Sequence, residues 1–248
     1  MLSSRDVIPW VPRSLPDHSS DPLPDDIKAR FEPDMYANVD STTQCTPNPT
    51  IINKPFWKYM IAKVGDAAGA RQMLDLDFDM NGPVWCFAPS GMSITWLPDA
   101  HVVCIGGKHE EHYELDEFIY NDVIVVRSAT APAETGTDLR TAVIPPPKPD
   151  EITIYGYRKT VFPPTDFHIV MHVGESETEG HNGGFIYVIG GVGHRDRGCP
   201  HKDCTAVFRL DLESFRMERM YTTGELPPSH DVDLVKKRRG RFWWTGSL

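Results

Sequence analysis

The sequence has 248 residues, of which 40% are hydrophobic and 24% are charged, so part of it can bury a globular core. Its net charge of −10 argues against binding to nucleic acid or to an anionic membrane, and no apolar run is long enough to span a bilayer. Five scattered cysteines and the absence of a secretory leader indicate a reduced, cytoplasmic protein, and the 22 prolines argue against a helical bundle.

Residues 1–52 are predicted to form a proline-rich and mostly disordered tail. Eight prolines recur between Pro9 and Pro49, with acidic and small polar residues between them. Such a segment cannot bury enough apolar surface to offset the entropy that it loses on ordering.

Residues 53–83 are predicted to form a helix and a connector. Asn53 stands where a helix cap is expected and Pro55 lies in the first turn, a favoured position for proline. Phe56, Met60 and Val64 then recur every four residues, which gives one apolar face. We expect that face to pack against the chain's own domain.

The segment 84–230 is predicted to be all-β. Strand-length runs rich in β-branched and aromatic residues follow one another, separated by turn residues: WCFA, HVVCIGG, NDVIVV, EITIYGY, FHIVMHV, FIYVIGG and AVFRLDL. A proline-rich insertion loop, RSATAPAETGTDLRTAVIPPPKPD, separates two of them.

Two stretches of this segment repeat the same pattern. In each, an apolar strand ends in a glycine pair, Gly106-Gly107 in the first and Gly190-Gly191 in the second. A polar loop, two further strands and a proline-containing turn follow, as in PPTD and LPPSHD. Internal similarity on this scale is typical of a repeat architecture.

This pattern resembles the kelch repeat, in which an apolar strand with a double glycine is followed by a polar loop and an aromatic-led strand. The run from Tyr120 to Val123 fits that strand, and His168 matches the histidine after the proline-rich junction between blades. The resemblance implies a partial β-propeller of two to three four-stranded antiparallel blades, as in the galactose-oxidase central domain. The copper chemistry of galactose oxidase does not carry over, because no matching ligand set is recognisable.

The two loops after the glycine pairs, 107–119 and 191–204, are predicted to emerge on one face of the sheets and to bind another protein. The candidate binding residues are His109, Glu110, His112, His194, Arg195 and Arg197. A merely solvated, acidic loop is the simpler alternative for the first of them. The leading hypothesis is therefore an interaction or scaffold module without catalytic activity and without a cofactor.

A metal-dependent enzyme is the alternative from another functional class. Cys199, His201 and Cys204, together with His194, offer the thiolate and imidazole ligands that zinc prefers. His109 and His112 add an H-x-x-H pair, but the C-x4-C spacing matches no standard zinc interval, and two free thiols in a polar loop explain the pattern equally.

Residues 231–248 are predicted to be a basic and aromatic tail. The run 236–241, KKRRGR, is either a solvated end or a nuclear-import signal. Since two or three blades leave sheet edges unpaired, the helix or the tail must cover them, or copies of the chain associate through them. A truncated propeller relative without independent function is a further alternative.

Overall fold

A computed structural model of the chain describes residues 25, 48–63, 91–98, 101–109, 118–127, 147–174, 183–191, 206–221, 232–238 and 241–246. Strands dominate these residues, and the prediction of an all-β protein with a flanking helix is confirmed at that level. Within the described ranges, no helix combines the length and the hydrophobicity that crossing a bilayer requires.

The chain runs through one three-residue strand and a helix before the main strands begin. In chain order the elements are β1 (Thr50–Ile52), α1 (Pro55–Lys63), β2 (Ser93–Trp96), β3 (His101–Ile105), β4 (Lys108–His109), β5 (Phe118–Ile119), β6 (Val123–Arg127), a 3-10 turn (Pro149–Glu151), β7 (Ile152–Gly156), β8 (Ile169–Val173), β9 (Phe185–Ile189), β10 (Val207–Asp211), β11 (Met217–Arg219), β12 (Val232–Arg238) and β13 (Arg241–Gly246).

The strands form two main antiparallel sheets. The first sheet has the order β1-β7-β6-β3-β2, and the second has the order β11-β10-β9-β8. The small pair β4 and β5 stands at the base of the first polar loop, and β12 pairs with β13. Four strands in up-and-down order are thus common to both main sheets, and the first sheet adds β1 at its edge.

The register of the second sheet repeats that of the first. In the first sheet Ile105 pairs with both Ser93 and Val123. In the second, Ile189 pairs with Ile169 and Val207 in the same way. Both isoleucines immediately precede a glycine pair, so the two meanders share one register around them.

The two sheets pack front to back. We call the front of each sheet the face that carries Ile105 in the first sheet or Ile189 in the second. The buried core between the sheets takes front residues from the first sheet, such as Val103 and Ile105, and back residues from the second, such as Ile186 and Leu210. Successive units therefore stack in the same direction, unlike the two halves of a sandwich, which face each other.

The back of the first sheet is covered from the other side. Alternation along the strands places Val102, Cys104 and Ile154 there, and all are buried. Helix α1 contacts β7 and the 3-10 turn, and Trp57 and Met60 on it are fully buried. Burial raises the pKa of the Cys104 thiol to about 12, so this cysteine is an inert core residue, as its strand position predicts.

Residues 48–52 differ from the predicted tail, because they are paired to both sheets. Strand β1 pairs with β7 of the first sheet. The Asn48 side chain donates to the Met217 carbonyl at 2.8 Å and accepts from the Met217 N–H at 3.0 Å, which satisfies both backbone groups of Met217 on β11. The segment therefore bridges the outer edges of the two sheets. Residue 25 is helical, and the rest of the predicted tail lies outside the described residues.

The C-terminal segment also differs from a simple tail. Strands β12 and β13 form an antiparallel hairpin in which Lys236 pairs with Trp243 and Lys237 with Phe242. The basic run 236–241 therefore supplies the last three residues of β12 and the first residue of β13.

Candidate functional site

The two glycine pairs make the same turn at the same end of their sheets. Gly106 and Gly107 have φ values of 58° and 100°, and Gly190 and Gly191 have 71° and 103°. The Gly106 N–H donates to the Asp122 carbonyl at 3.0 Å, as the Gly190 N–H donates to the Ala206 carbonyl at 2.9 Å. The chain leaves both sheets toward the predicted binding loops through this geometry.

Residues 165–168, which we call the connector, join the first sheet to the second at that same end. The Gly107 N–H donates to the Thr165 carbonyl at 2.8 Å, and the Thr165 N–H donates to the Tyr120 carbonyl at 3.0 Å. The Tyr120 N–H in turn donates to the Gly107 carbonyl at 2.9 Å. The first two bonds fix the connector against both ends of the first polar loop, and the third closes that loop at its base.

The glycines are required because both sheets approach the connector closely. A Cβ atom on Gly106 would collide with the Thr165 carbonyl oxygen, and one on Gly191 would collide with the Thr165 hydroxyl. Any side chain would also be strained at these positive φ values. Glycine pairs from two repeats thus converge on a single threonine.

Buried polar side chains hold the base of this site. Asn121 is 2% exposed, and its amide donates to the Tyr157 carbonyl at 2.9 Å and to the Phe162 carbonyl at 2.7 Å. It therefore ties the strand after the first loop to the chain that leads into the connector. Asp122 and Asp166 are also buried nearby in sequence. Since a buried polar group must be hydrogen-bonded to be tolerated, the Asn121 amide specifies one arrangement of the chain that leads into the connector.

His168 ends the connector and is buried. Its Nε2 lies 2.8 Å from the Ser93 Oγ on β2, while Nδ1 has no hydrogen-bond partner. Burial lowers the pKa of His168 to about 4, so the ring is neutral at pH 7. No acid is bonded to Nδ1 of the buried His168 ring, so the serine–histidine pair lacks the orienting group that nucleophilic catalysis needs. The pair therefore joins the connector to the first sheet.

Phe167 is the exposed member of the connector. The residue is 52% exposed, although it has a φ of 49°. Its N–H donates to the Gly91 carbonyl at 2.9 Å, and the Lys108 ammonium lies 6.0 Å from the centre of its ring. An aromatic ring beside a cation thus stands at the foot of the first loop.

The structure places the predicted structural residues together and leaves most predicted binding residues undescribed. The glycine pairs, Tyr120 and His168 all lie around the connector. His109 ends β4, next to Lys108. The candidates that lie outside the described residues are Glu110, His112, His194, Arg195, Arg197, Cys199, His201 and Cys204. Among the residues that are described, no three His, Cys, Asp or Glu side chains are grouped so as to hold a metal ion.

Sequence reasoning missed Phe167, Lys108 and Ser93. The histidine of the TDFH stretch was singled out, but nothing in the letters shows that the preceding phenylalanine has a positive φ and an exposed ring. Ser93 lies 75 residues from its partner, a distance over which one sequence gives no signal. A hydrophobic residue directly after a junction of turn residues was the only available hint.

The chain matches no protein-family profile, no curated protein sequence and no solved structure. The site therefore has to be interpreted from its own geometry: two loop bases, a rigid connector between them, and an exposed aromatic ring with a lysine beside it. Such an arrangement can bind a ligand at its surface, and its described residues do not assemble a nucleophile with its base.

Proposed function

We propose that the chain is a kelch-like, partial β-propeller that acts as a protein-interaction or scaffold module without catalytic activity of its own. The observation that carries the proposal is the convergence of Gly106 and Gly191, from two sheets of equal register, on Thr165. Blades of a propeller stack in one direction and carry their connections at the same ends. The front-to-back packing of the two sheets is the arrangement that this proposal requires.

The recognition surface in this proposal is formed by the loops 107–119 and 191–204. Their bases stand on either side of a connector that hydrogen bonds hold to both sides of the first loop. A rigid scaffold that presents variable polar loops at one end is the usual way in which all-β domains bind partners. Another protein is the proposed partner, since the net charge of −10 disfavours polyanions.

The test is affinity chromatography of a cell extract on the immobilised full chain, with the retained proteins identified by mass spectrometry. We expect alanine replacement of His109, Glu110, His112, Arg195 and Arg197 to abolish retention of the specific partners, because the loops then lose their charged and imidazole groups. Circular dichroism and the melting temperature should stay unchanged, since substitutions in surface loops usually alter stability by about 0.5 kcal/mol or less.

The matched control is the double variant Glu213→Ala and Arg216→Ala, which removes one charge of each sign. Both residues are exposed in the turn between β10 and β11, at the opposite end of the second sheet from its glycine pair. The control should retain the same proteins as the unmodified chain. Retention that survives in the loop variant, or a chain that retains nothing beyond an unrelated bait, would contradict the proposal.

A further inference from the structure

The centre of the front of the second sheet is buried. Ile189 is 1% exposed and Val207 is 5% exposed. Within the described residues, the hydrophobic side chains that pack against these two are Ile169, Tyr187 and Met220, and all three lie on or next to strands of the same sheet. Neighbours on one face of a sheet stand side by side at about 5 Å and leave the tops of their side chains open. A further layer is therefore needed over this face.

The chain continues after the second sheet as it does after the first. From Tyr155 in β7 to Ile169 in β8 it takes 14 residues. Met220 is the counterpart of Tyr155, because its N–H donates to the Val207 carbonyl at 2.8 Å. Leu234 of β12 follows Met220 after the same 14 residues, and both connections contain a proline pair. The length of the connection thus makes Leu234 the counterpart of Ile169.

The register of β12 and β13 makes the same assignment independently. In the second sheet Ile169 pairs with Ile189, which precedes a glycine. In the hairpin Leu234 pairs with Thr245, which also precedes a glycine. Four further pairs then follow in step toward the turn in both cases. The hairpin therefore has the register with which the second unit of the repeat begins.

The residue types at the back positions of the two hairpins also correspond. In the second sheet these positions are Val170, His172, Ile186 and Val188, of which Ile186 and Val188 are fully buried against the first sheet. The counterparts by register in β12 and β13 are a valine, a lysine, a phenylalanine and a tryptophan, at Val235, Lys237, Phe242 and Trp244. The positions that seat the second sheet on the first are thus apolar again in the hairpin.

A second copy of the chain cannot cover the front in the same way. The back of its first sheet is the surface that such packing would use, and helix α1 covers that surface with Trp57 and Met60 fully buried. The back of its second sheet is occupied by its own first sheet. The chain's own hairpin is the occupant that continues the established interface, as repeats that contact their nearest neighbours do.

We infer that β12 and β13 begin a third unit of the repeat and that this hairpin packs its back on the front of the second sheet. In the established interface β8 lies against β2, so the same stacking sets β12 against β8 and β13 against β9. The hairpin does not extend over β10 and β11, where the side chains of Arg209 and Glu218 are 28% and 51% exposed. The inference rests on the stacking of units in the proposed function and is independent of what the loops bind.

The test is a double-mutant cycle in the full chain between Tyr187 on the front of β9 and Trp244 on β13. Chemical denaturation followed by circular dichroism gives the unfolding equilibrium constant of each variant. We expect the combined effect of Tyr187→Ala and Trp244→Ala to fall short of the product of the single effects by about fivefold or more, as it does for residues in contact.

Trp243 provides the matched control, because it is the same residue type, next in sequence, at a front position of the hairpin. Trp243→Ala should combine with Tyr187→Ala to within about twofold of the product, as separated residues do. A coupling at Trp244 no larger than that at Trp243 would overturn the inference.

A cysteine pair decides the question if an alanine variant does not fold. Tyr187→Cys with Trp244→Cys should be linked within one chain by a short bismaleimide, and Tyr187→Cys with Trp243→Cys should be linked much less. Mass spectrometry identifies the linked peptides, and Cys104 does not interfere because burial raises its pKa to about 12.

The remaining outcomes assign the front to something else. Equal linking of both cysteine pairs, or links that form between chains, would overturn the inference, and links between chains would give the front to a second copy. In each of these cases the retention of partners by the loops is still decided by the chromatography, so the proposed function stands or fails separately.

Discussion

The two sheets share one backbone plan but face different surroundings. In the first sheet, position 125 on the front is a valine that is 4% exposed in the core between the sheets. Its counterpart in the second sheet is Arg209, which forms an ion pair of 2.7 Å with Glu218. The shared register therefore places both residues on the front of their sheets. Val125 is apolar because the second sheet packs against it, whereas Arg209 is partly exposed and carries a charge.

The edges of the two sheets show the same contrast. Strand β1 covers the outer edge of the first sheet. At the outer edge of β11, the side-chain amide of Asn48 makes two hydrogen bonds to Met217. At both edges, backbone N–H and C=O groups that would otherwise need water as a partner are hydrogen-bonded within the chain. Residues 48–52 supply the partners in both cases: β1 pairs with β7, and the Asn48 amide bonds to Met217.

The largest expected effect tests whether the two sheets depend on the connector in the same way. Gly106→Ala and Gly191→Ala should each lower the free energy of unfolding by roughly 4 kcal/mol, because strain at positive φ adds to a collision with Thr165. Chemical denaturation monitored by tryptophan fluorescence measures both variants against the unmodified chain.

Two other glycines serve as controls for that comparison. No heavy atom lies within 4 Å of a Cβ built on Gly174, so Gly174→Ala should change the free energy of unfolding by about 1 kcal/mol or less. Gly183 has a φ of 90° and meets no atom closer than 3.5 Å, so Gly183→Ala should report strain alone, roughly 1–2 kcal/mol. A loss at Gly106 or Gly191 no larger than that at Gly183 would contradict the close approach.

The sequence predicts the repeated part of the fold because its signals are local. Runs of β-branched residues such as 102–105 and 123–126 form strands at the expected places, and the glycine pairs end their strands with left-handed turns. Short-range sterics decide both features, so one sequence is enough to read them.

The rest depends on contacts that no local pattern encodes. Strand β1 follows Pro47 and Pro49 and has three residues, so only the exposed edge of β7 makes it a strand. Lysine has a low β-propensity, so the sequence of β12 alone does not predict a strand, and β12 forms one by pairing with the aromatic strand β13. The conformation of Phe167 is similar, since its positive φ and its exposure follow from the assembled connector.

An effect of intermediate size is expected from the histidine that joins the connector to the first sheet. The pKa of His168 is about 4 in the folded chain, below the ordinary value near 6.5 that holds in the unfolded chain. As the pH falls from about 6.5 to about 4, the unfolded chain takes up a proton that the folded chain does not. The free energy of unfolding therefore falls through that window by about 3 kcal/mol on account of His168, and below pH 4 this histidine causes no further loss.

The pH dependence of denaturation for His168→Gln checks this assignment. The variant cannot titrate there, so its loss between pH 6.5 and pH 4 should be smaller than that of the unmodified chain by about that amount. Ser93→Ala removes the hydrogen bond to Nε2 but leaves the burial that lowers the pKa, so it should keep the pH dependence. Equal losses for the unmodified chain and His168→Gln would contradict a buried, neutral histidine.

The smallest expected effect on stability comes from giving the front of the second sheet the residues that stand on the front of the first sheet. The double variant Arg209→Val and Glu218→Thr installs the residues that stand at the counterpart positions 125 and 153 of the first sheet. The side chains of the ion pair are 28% and 51% exposed, so its loss, with that of the Arg209 contact 4.5 Å above the Phe185 ring, should cost about 1 kcal/mol.

The same double variant should associate more strongly than the unmodified chain, because it replaces the charged pair beside the half-buried Tyr187 with smaller, uncharged side chains; Ile189 and Val207 on the same front are already buried. Sedimentation velocity at matched concentrations measures this, and Glu218→Gln, which breaks the ion pair without adding apolar surface, is the control. Unchanged sedimentation would contradict the idea that charge on this face limits the stack of sheets. A gain in association restricted to the double variant would mean that this ion pair limits contact between copies of the chain through the front of the second sheet.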